Sequence, residues 1–184
     1  MRMTAICLAA GLMAGCQSTP TRPPSTVAFS AEEAAFIKKS GTGTISGHAF
    51  RTRPLGQVVN AAGEIVRLVP ATAFARERFR QLYGDRFYVA SSAYPKQDTP
   101  DPAYAEYTRT TRADARGRFS FDKVAPGSYF VTTQVIWGAE DAAQREGGSV
   151  YDLVTLTGKE TEPVEVILSG KNGIQTRLNG LDCS

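Results

Sequence analysis

The run Asp114-Ala115-Arg116-Gly117-Arg118-Phe119-Ser120-Phe121 limits the folds open to this chain more than any other stretch. Asp followed by Gly three residues on is turn chemistry: the carboxylate can hold the turn backbone, and Gly accepts a conformation that other residues resist. The two phenylalanines that follow are separated by one serine. On a strand they emerge from the same face, whereas on a helix they would point in nearly opposite directions. Val124-Ala125-Pro126-Gly127 makes the next turn, and Tyr129 to Trp137 reads as another strand. Further strands are predicted at Thr44 to Phe50, Glu64 to Val69, Tyr107 to Ala113, Val150 to Thr157 and Val164 to Leu168. In the second of these, Val66 and Leu68 alternate against Arg67 and Val69, and Pro70 closes the strand. About seven short strands with turn signals between them predict an all-β, two-sheet sandwich.

Two segments break the β period. Ser30-Ala31-Glu32-Glu33 matches a capping box, with Ser30 as cap and Glu33 reaching back. A short helix is expected from it to about Lys39, docked by Phe36 and Ile37 and ended near Gly41. From Ala73 to Tyr83 the apolar residues Phe74, Phe79, Leu82 and Tyr83 share one helical face, with Arg76, Glu77 and Arg80 in water and Gly84 as the stop. Pro95 to Pro102 is a loop without periodicity. The resulting plan is a leader over 1–15, a proline-rich tether over 16–29 and a short N-terminal helix within 30–42. A sandwich over 43–170 follows, carrying an insertion at about 71–105, and then a tail over 171–184.

The run from Thr111 to Phe121, continued by Val124-Ala125-Pro126-Gly127-Ser128-Tyr129, resembles the carboxypeptidase regulatory-like domain, a transthyretin-like (prealbumin-like) β-sandwich. That family carries D-x-x-G-x-F-x-F, then a proline-glycine turn and a tyrosine. Gly43-Thr44-Ile45-Ser46-Gly47 and Ala62-Gly63 through Pro70 resemble its opening strands, so the likeness covers roughly 43 to 137. It implies a fold and an accessory domain without chemistry of its own, because a fold does not supply a site. The inserted helix and loop are then the place to look for one.

The N-terminus implies a compartment. Arg2 precedes an apolar run from Ile6 to Ala14 that is far too short to cross a bilayer. It ends in Leu12-Met13-Ala14-Gly15-Cys16, which resembles the lipobox of bacterial lipoproteins, with Met13 standing where Leu is commoner. The resemblance implies cleavage between Gly15 and Cys16, lipidation of the Cys16 thiol, and attachment to a membrane through acyl chains. The alternative is an ordinary cleaved leader with a coincidental cysteine. In a Gram-negative cell, Gln17 after the lipidated cysteine would direct the protein to the outer membrane facing the periplasm. Gln17 to Thr26, with three prolines among hydroxyl residues, is an extended tether. Cys7 falls in the leader and Cys183 next to the end of the chain, which leaves the mature protein one thiol and no intramolecular disulfide.

Charge and residue counts exclude several functions. The formal charge of +3 falls to +2 with the loss of Arg2, too little and too evenly spread for a nucleic-acid partner. Hydroxyisourate hydrolases, which share the transthyretin-like fold, end in a Tyr-Arg-Gly-Ser tail, whereas this chain ends Asp182-Cys183-Ser184. Intradiol dioxygenases hold iron with two histidines and two tyrosines, and His48 is the chain's one histidine. Asp98, Asp101, Asp114 and Asp122 match no compact calcium loop. No G-x-S-x-G elbow occurs. No catalytic residue, metal or cofactor is therefore expected. Tyr83, Phe87, Tyr88, Tyr94, Tyr104 and Tyr107 crowd the insertion and its flanks beside several arginines, and form the candidate binding surface. The expectation is a lipid-anchored, non-enzymatic envelope domain that binds a protein or a carbohydrate. The alternatives are an envelope hydrolase using His48 and a structural subunit of an envelope complex.

Overall fold

The computed structural model describes residues 26–93, 102–138 and 145–171. Cys16 and the rest of the lipobox, most of the tether, Tyr94, Asp98, Asp101 and Cys183 lie outside the described residues. Two sheets face each other. The first is built on the long strand β1 (Ser40–Thr52). It pairs antiparallel with β2 (Val58–Asn60) and β6 (Arg118–Val124), and parallel with β9 (Val164–Leu168). The second runs β4-β8-β7-β3-β5 and is antiparallel throughout. Its strands are β3 (Ile65–Pro70), β4 (Tyr88–Ala90), β5 (Arg109–Arg112), β7 (Gly127–Trp137) and β8 (Glu146–Leu156). The chain is thus an all-β sandwich with a few short helices, but with nine strands among the described residues where the sequence predicts about seven. The two extra strands, β2 and β4, have three residues each, too few for an alternation to register.

Period-two alternation builds the space between the sheets. Ile45 and Ala49 on β1, Val66 and Leu68 on β3, Phe119 and Phe121 on β6, and Val131 and Val135 on β7 are all buried in one cluster. The turn before β6 works as its residues suggest. The Asp114 carboxylate accepts the N–H groups of Arg116 and Arg118, each at 2.8 Å, and Gly117 sits at φ +76° with its α-carbon against the Ala49 carbonyl. Those two amides hold the Asp114 carboxyl below its ordinary pKa, the Arg118 bond contributing most. Tyr129 both packs and corners the chain: its ring is fully buried and its hydroxyl donates to the Ala125 carbonyl at 2.8 Å.

The first helix, α1 (Ala31–Ala34), tightens at once into a 3₁₀ turn over Ala35–Lys38. Ser30 caps it, accepting the Glu33 N–H at 3.2 Å, but Glu33 does not reach back to close the box. Its carboxylate accepts the Ala73 N–H at 2.8 Å, at the start of α2 (Ala73–Tyr83). The unsatisfied amides and positive end of the longer helix hold the carboxylate there. Thr72 caps α2 with its side chain and Gly84, at φ +59°, ends it. The expected insertion also contributes more than a helix and a loop. After α2 the chain adds β4 to the far edge of the second sheet. Helix α3 (Pro102–Glu106) then precedes β5, which pairs with β3.

Candidate functional site

The outer face of the second sheet changes character along its strands, and that change creates a cleft. Register places Val69, Phe130 and Leu153 in one row across β3, β7 and β8. The next row is Thr110, Arg67, Thr132 and Tyr151, and the one after it pairs Gln134 with Ser149. Helix α2 lies on the apolar row. Phe79 stacks on Phe130 with ring centroids 4.1 Å apart and planes 9° off parallel, and Ala75, Phe79 and Tyr83 are buried with Val69. Val69, whose alternation suggested an outward residue, is therefore buried under α2. Tyr151 and Ser149 at the β8 end of the polar rows are covered, but Arg67, Thr110, Thr132 and Gln134 help floor a cleft of about 470 Å³, walled by Arg78, Leu82 and Tyr83 of α2 on one side and by Tyr104 and Thr108 on the other. This volume is of the size that holds a small ligand.

The cleft is set in position before any ligand arrives. The Tyr83 hydroxyl lies 2.6 Å from the Ser149 hydroxyl and 3.1 Å from that of Thr132. Thr132 donates to the Val150 carbonyl at 2.9 Å and Ser149 to the Thr133 carbonyl at 3.2 Å. The phenol has a single proton, so with the Ser149 proton on the Thr133 carbonyl it donates to Ser149, the nearer oxygen, and that bond fixes the ring. Burial, reinforced by the charges of Asp152 and Asp85, raises the pKa of the neighbouring Tyr151. Across the cleft Tyr104 packs edge-on against Phe74 and Phe29, at 5.3 and 5.9 Å, with the Arg78 guanidinium 5.8 Å from its ring. The described lining residues include two arginines, hydroxyls and a glutamine, and no carboxylate or imidazole. Such a set can bind through guanidinium donors, hydroxyl acceptors and ring faces.

Of the six aromatic residues singled out from the sequence, the five that are described stand at different places. Tyr83 and Tyr104 line the cleft. Tyr107 stands beside it against Phe29, with the Lys38 ammonium 3.7 Å from its ring centroid. Phe87 stacks on Tyr151 at 5.2 Å, and Tyr88 faces the interior of the sandwich beneath the Arg51 guanidinium. Tyr94 is outside the described residues. Tyr88 separates from the others because it belongs to β4, whose inward parity was not visible. The polar floor of Arg67, Thr110, Thr132 and Gln134 was missed, since alternating polar residues on a strand read simply as its solvent side. Only the pairing of β5, β3 and β7 aligns them.

His48 projects from the opposite face of β1 to Ala49. Its Nε2 is 3.1 Å from the Asn60 side-chain oxygen, its ring lies 4.8 Å from that of Phe50, and it does not line this cleft. Asp114 is used by its turn, and Asp122 lies 3.3 Å from the hydroxyls of both Thr44 and Ser120. Among the described residues no three His, Cys, Asp or Glu side chains come together as a metal ion would require.

Fold and cleft together define a two-sheet sandwich with a helix-walled pocket on one outer face. No family model and no curated protein matches the chain. A solved structure from Pseudomonas aeruginosa, of a protein provisionally described as carbohydrate-binding, is similar to it with a TM-score of 0.62 and 28% sequence identity. The match covers 77% of this chain and 97% of that one.

Proposed function

We propose that this chain is a lipid-anchored, non-catalytic protein of the cell envelope that binds carbohydrate in the cleft between α2, α3 and the second sheet. The observation that carries the reading is the lining of that cleft. Arginine and glutamine donors, hydroxyl acceptors and the Tyr83 and Tyr104 rings suit a ligand dense in hydroxyls with apolar ring faces. The provisional carbohydrate-binding description of the similar Pseudomonas aeruginosa protein supports the same ligand class. Non-catalytic action is supported by the absence of a carboxylate or imidazole among the described lining residues, and by the position of His48 away from them. The anchor is argued from the sequence from Leu12 to Cys16. The sandwich is read as one of the carboxypeptidase regulatory-like kind on its Asp114-to-Tyr129 run.

The test is retention on an array of neutral and acidic oligosaccharides, followed by calorimetric titration of whatever is retained. Arg67→Gln and Tyr104→Ala each remove a direct contact and are expected to weaken binding by about tenfold or more. His48→Ala is expected to bind as wild type does. Failure to retain any saccharide, or equal affinity in all three variants, overturns the reading. The anchor is tested separately by intact mass: a chain beginning at Cys16 with acyl mass, lost in Cys16→Ser, is expected.

A further inference from the structure

A second cleft lies where the interior of the sandwich opens at one end. Arg51 on β1 and Arg53 just beyond its end continue the inward parity of Ile45, Gly47 and Ala49, past the point where apolar residues stop. Trp137 does the same at the end of β7 after Val131, Thr133 and Val135, and Tyr88 does so on β4 opposite Val150. Trp137 and Tyr88 pack on the margin of the main core. With Arg145 and Glu146 they line a cleft of about 500 Å³ that shares no residue with the first.

Its charge is one-sided. Among the described residues three guanidiniums stand against one carboxylate, and Glu146 is already engaged, accepting the Trp137 indole N–H at 2.8 Å. Arg51 donates from Nη1 to the Ser169 carbonyl at 2.8 Å and lies 3.9 Å from the centroid of Tyr88, while Arg53 donates to Gln57 at 3.0 Å. The Nε donors of both Arg51 and Arg145 are buried and have no hydrogen-bond partner among the described residues. An unpaired buried donor on a charged group is costly, and an anion in the cleft would offset that cost through the terminal nitrogens of each guanidinium, not through the Nε atoms themselves.

We propose that this cleft is a binding site for a phosphoryl group, free or esterified, held by Arg51, Arg53 and Arg145 with Trp137 at its edge. A tetrahedral oxyanion has enough oxygens to accept from three guanidiniums at once, whereas a carboxylate offers two. The proposal does not depend on the carbohydrate reading, because it rests on other residues.

Trp137 is the chain's one tryptophan, so its fluorescence reports on this cleft alone. The full-length protein, extracted in mild detergent, is titrated with inorganic phosphate, glycerol 3-phosphate and acetate. A saturable change in Trp137 emission is expected with both phosphates, and a much weaker response with acetate. Binding should weaken by about tenfold or more in Arg145→Gln and in the half-buried Arg53→Gln, and should be unchanged in Arg116→Gln on the distant turn. The order of the two phosphates distinguishes a site for the free ion from one for an ester, and either order supports the site. If Arg145→Gln does not fold, Arg53→Gln carries the test. No saturable change with either phosphate, or equal affinity in Arg53→Gln and wild type, overturns the proposal.

Discussion

Removing one oxygen from Tyr129 should produce a stability change whose sign depends on pH. The ring has no solvent exposure and lies 5.2 Å from that of Phe36, and its hydroxyl donates to the Ala125 carbonyl at 2.8 Å. Tyr129→Phe keeps the packing and leaves that carbonyl without its partner, which at neutral pH costs about 1–2 kcal/mol. Burial pushes the Tyr129 hydroxyl up from 10.0 to about 12, the charge of Arg109 opposing it only in part. Below pH 10 the residue is protonated in both the folded and unfolded chain and adds no pH dependence. Between pH 10 and 12 the unfolded chain ionises while the folded one keeps its proton, so wild-type stability falls, by about 3 kcal/mol over that window. The phenylalanine variant lacks this loss. The variant should therefore be less stable at pH 7 and no less stable, or more stable, by pH 12. Urea unfolding followed by circular dichroism at intervals from pH 7 to 12 measures the difference, in which other ionising groups cancel. A constant gap across that range would refute the coupling of this hydroxyl to the buried corner.

The remaining predictions concern the turn, the helix and one loop. Gly117→Ala should cost about 2 kcal/mol or more, because a β-carbon there would lie 2.4 Å from the Ala49 carbonyl at φ +76°. Gly63→Ala, at a similar φ of +74° but with nothing within 4 Å, should show only the conformational penalty of about 1–2 kcal/mol, and paired urea melts compare the two. Phe79→Ala should cost about 3–5 kcal/mol in the same assay, since it removes both a buried ring and its stack on Phe130, and should abolish ligand retention by the cleft. The Glu160 carboxylate, accepting the Thr157 N–H and hydroxyl and the Gly158 N–H, is held down at about 2 against 4.5. Its contribution is present above pH 4.5 and is lost as pH falls toward 2. A carboxyl chemical-shift titration should find that midpoint, and Glu160→Gln should flatten the acid limb of stability.

The β-sandwich was legible because its evidence is local. Asp114, Gly117, Phe119 and Phe121 specify a turn and a facing strand within eight residues, and Ala73 to Gly84 carries the apolar stripe and stop of α2 in the same way. What failed to show was either too short or pointed elsewhere. Three-residue β2 and β4 contain too little alternation, and Glu33 chose the amide of Ala73, forty residues on, over its own cap. The aromatic set split for the same reason. Tyr83 and Tyr104 meet across one cleft while Tyr88, close in sequence to Tyr83, faces the other.

The division between the two kinds of information follows from range. Turn chemistry, helix caps and period-two burial act between residues a few positions apart, so the amino-acid sequence by itself determined an all-β sandwich with an inserted helix. Both clefts are made of residues that only strand register and the packing of elements far apart in the chain bring together. Arg67 meets Thr110 and Thr132 through two antiparallel pairings, and Arg51 comes near Arg145 because β1 and β8 end at the same opening of the core. An outward arginine on a strand looks the same in sequence whether it faces bulk water or a pocket. Which of the two it faces was decided by the helix that covers the apolar row beside it and stops short of the polar one, and that placement exists only in the tertiary structure.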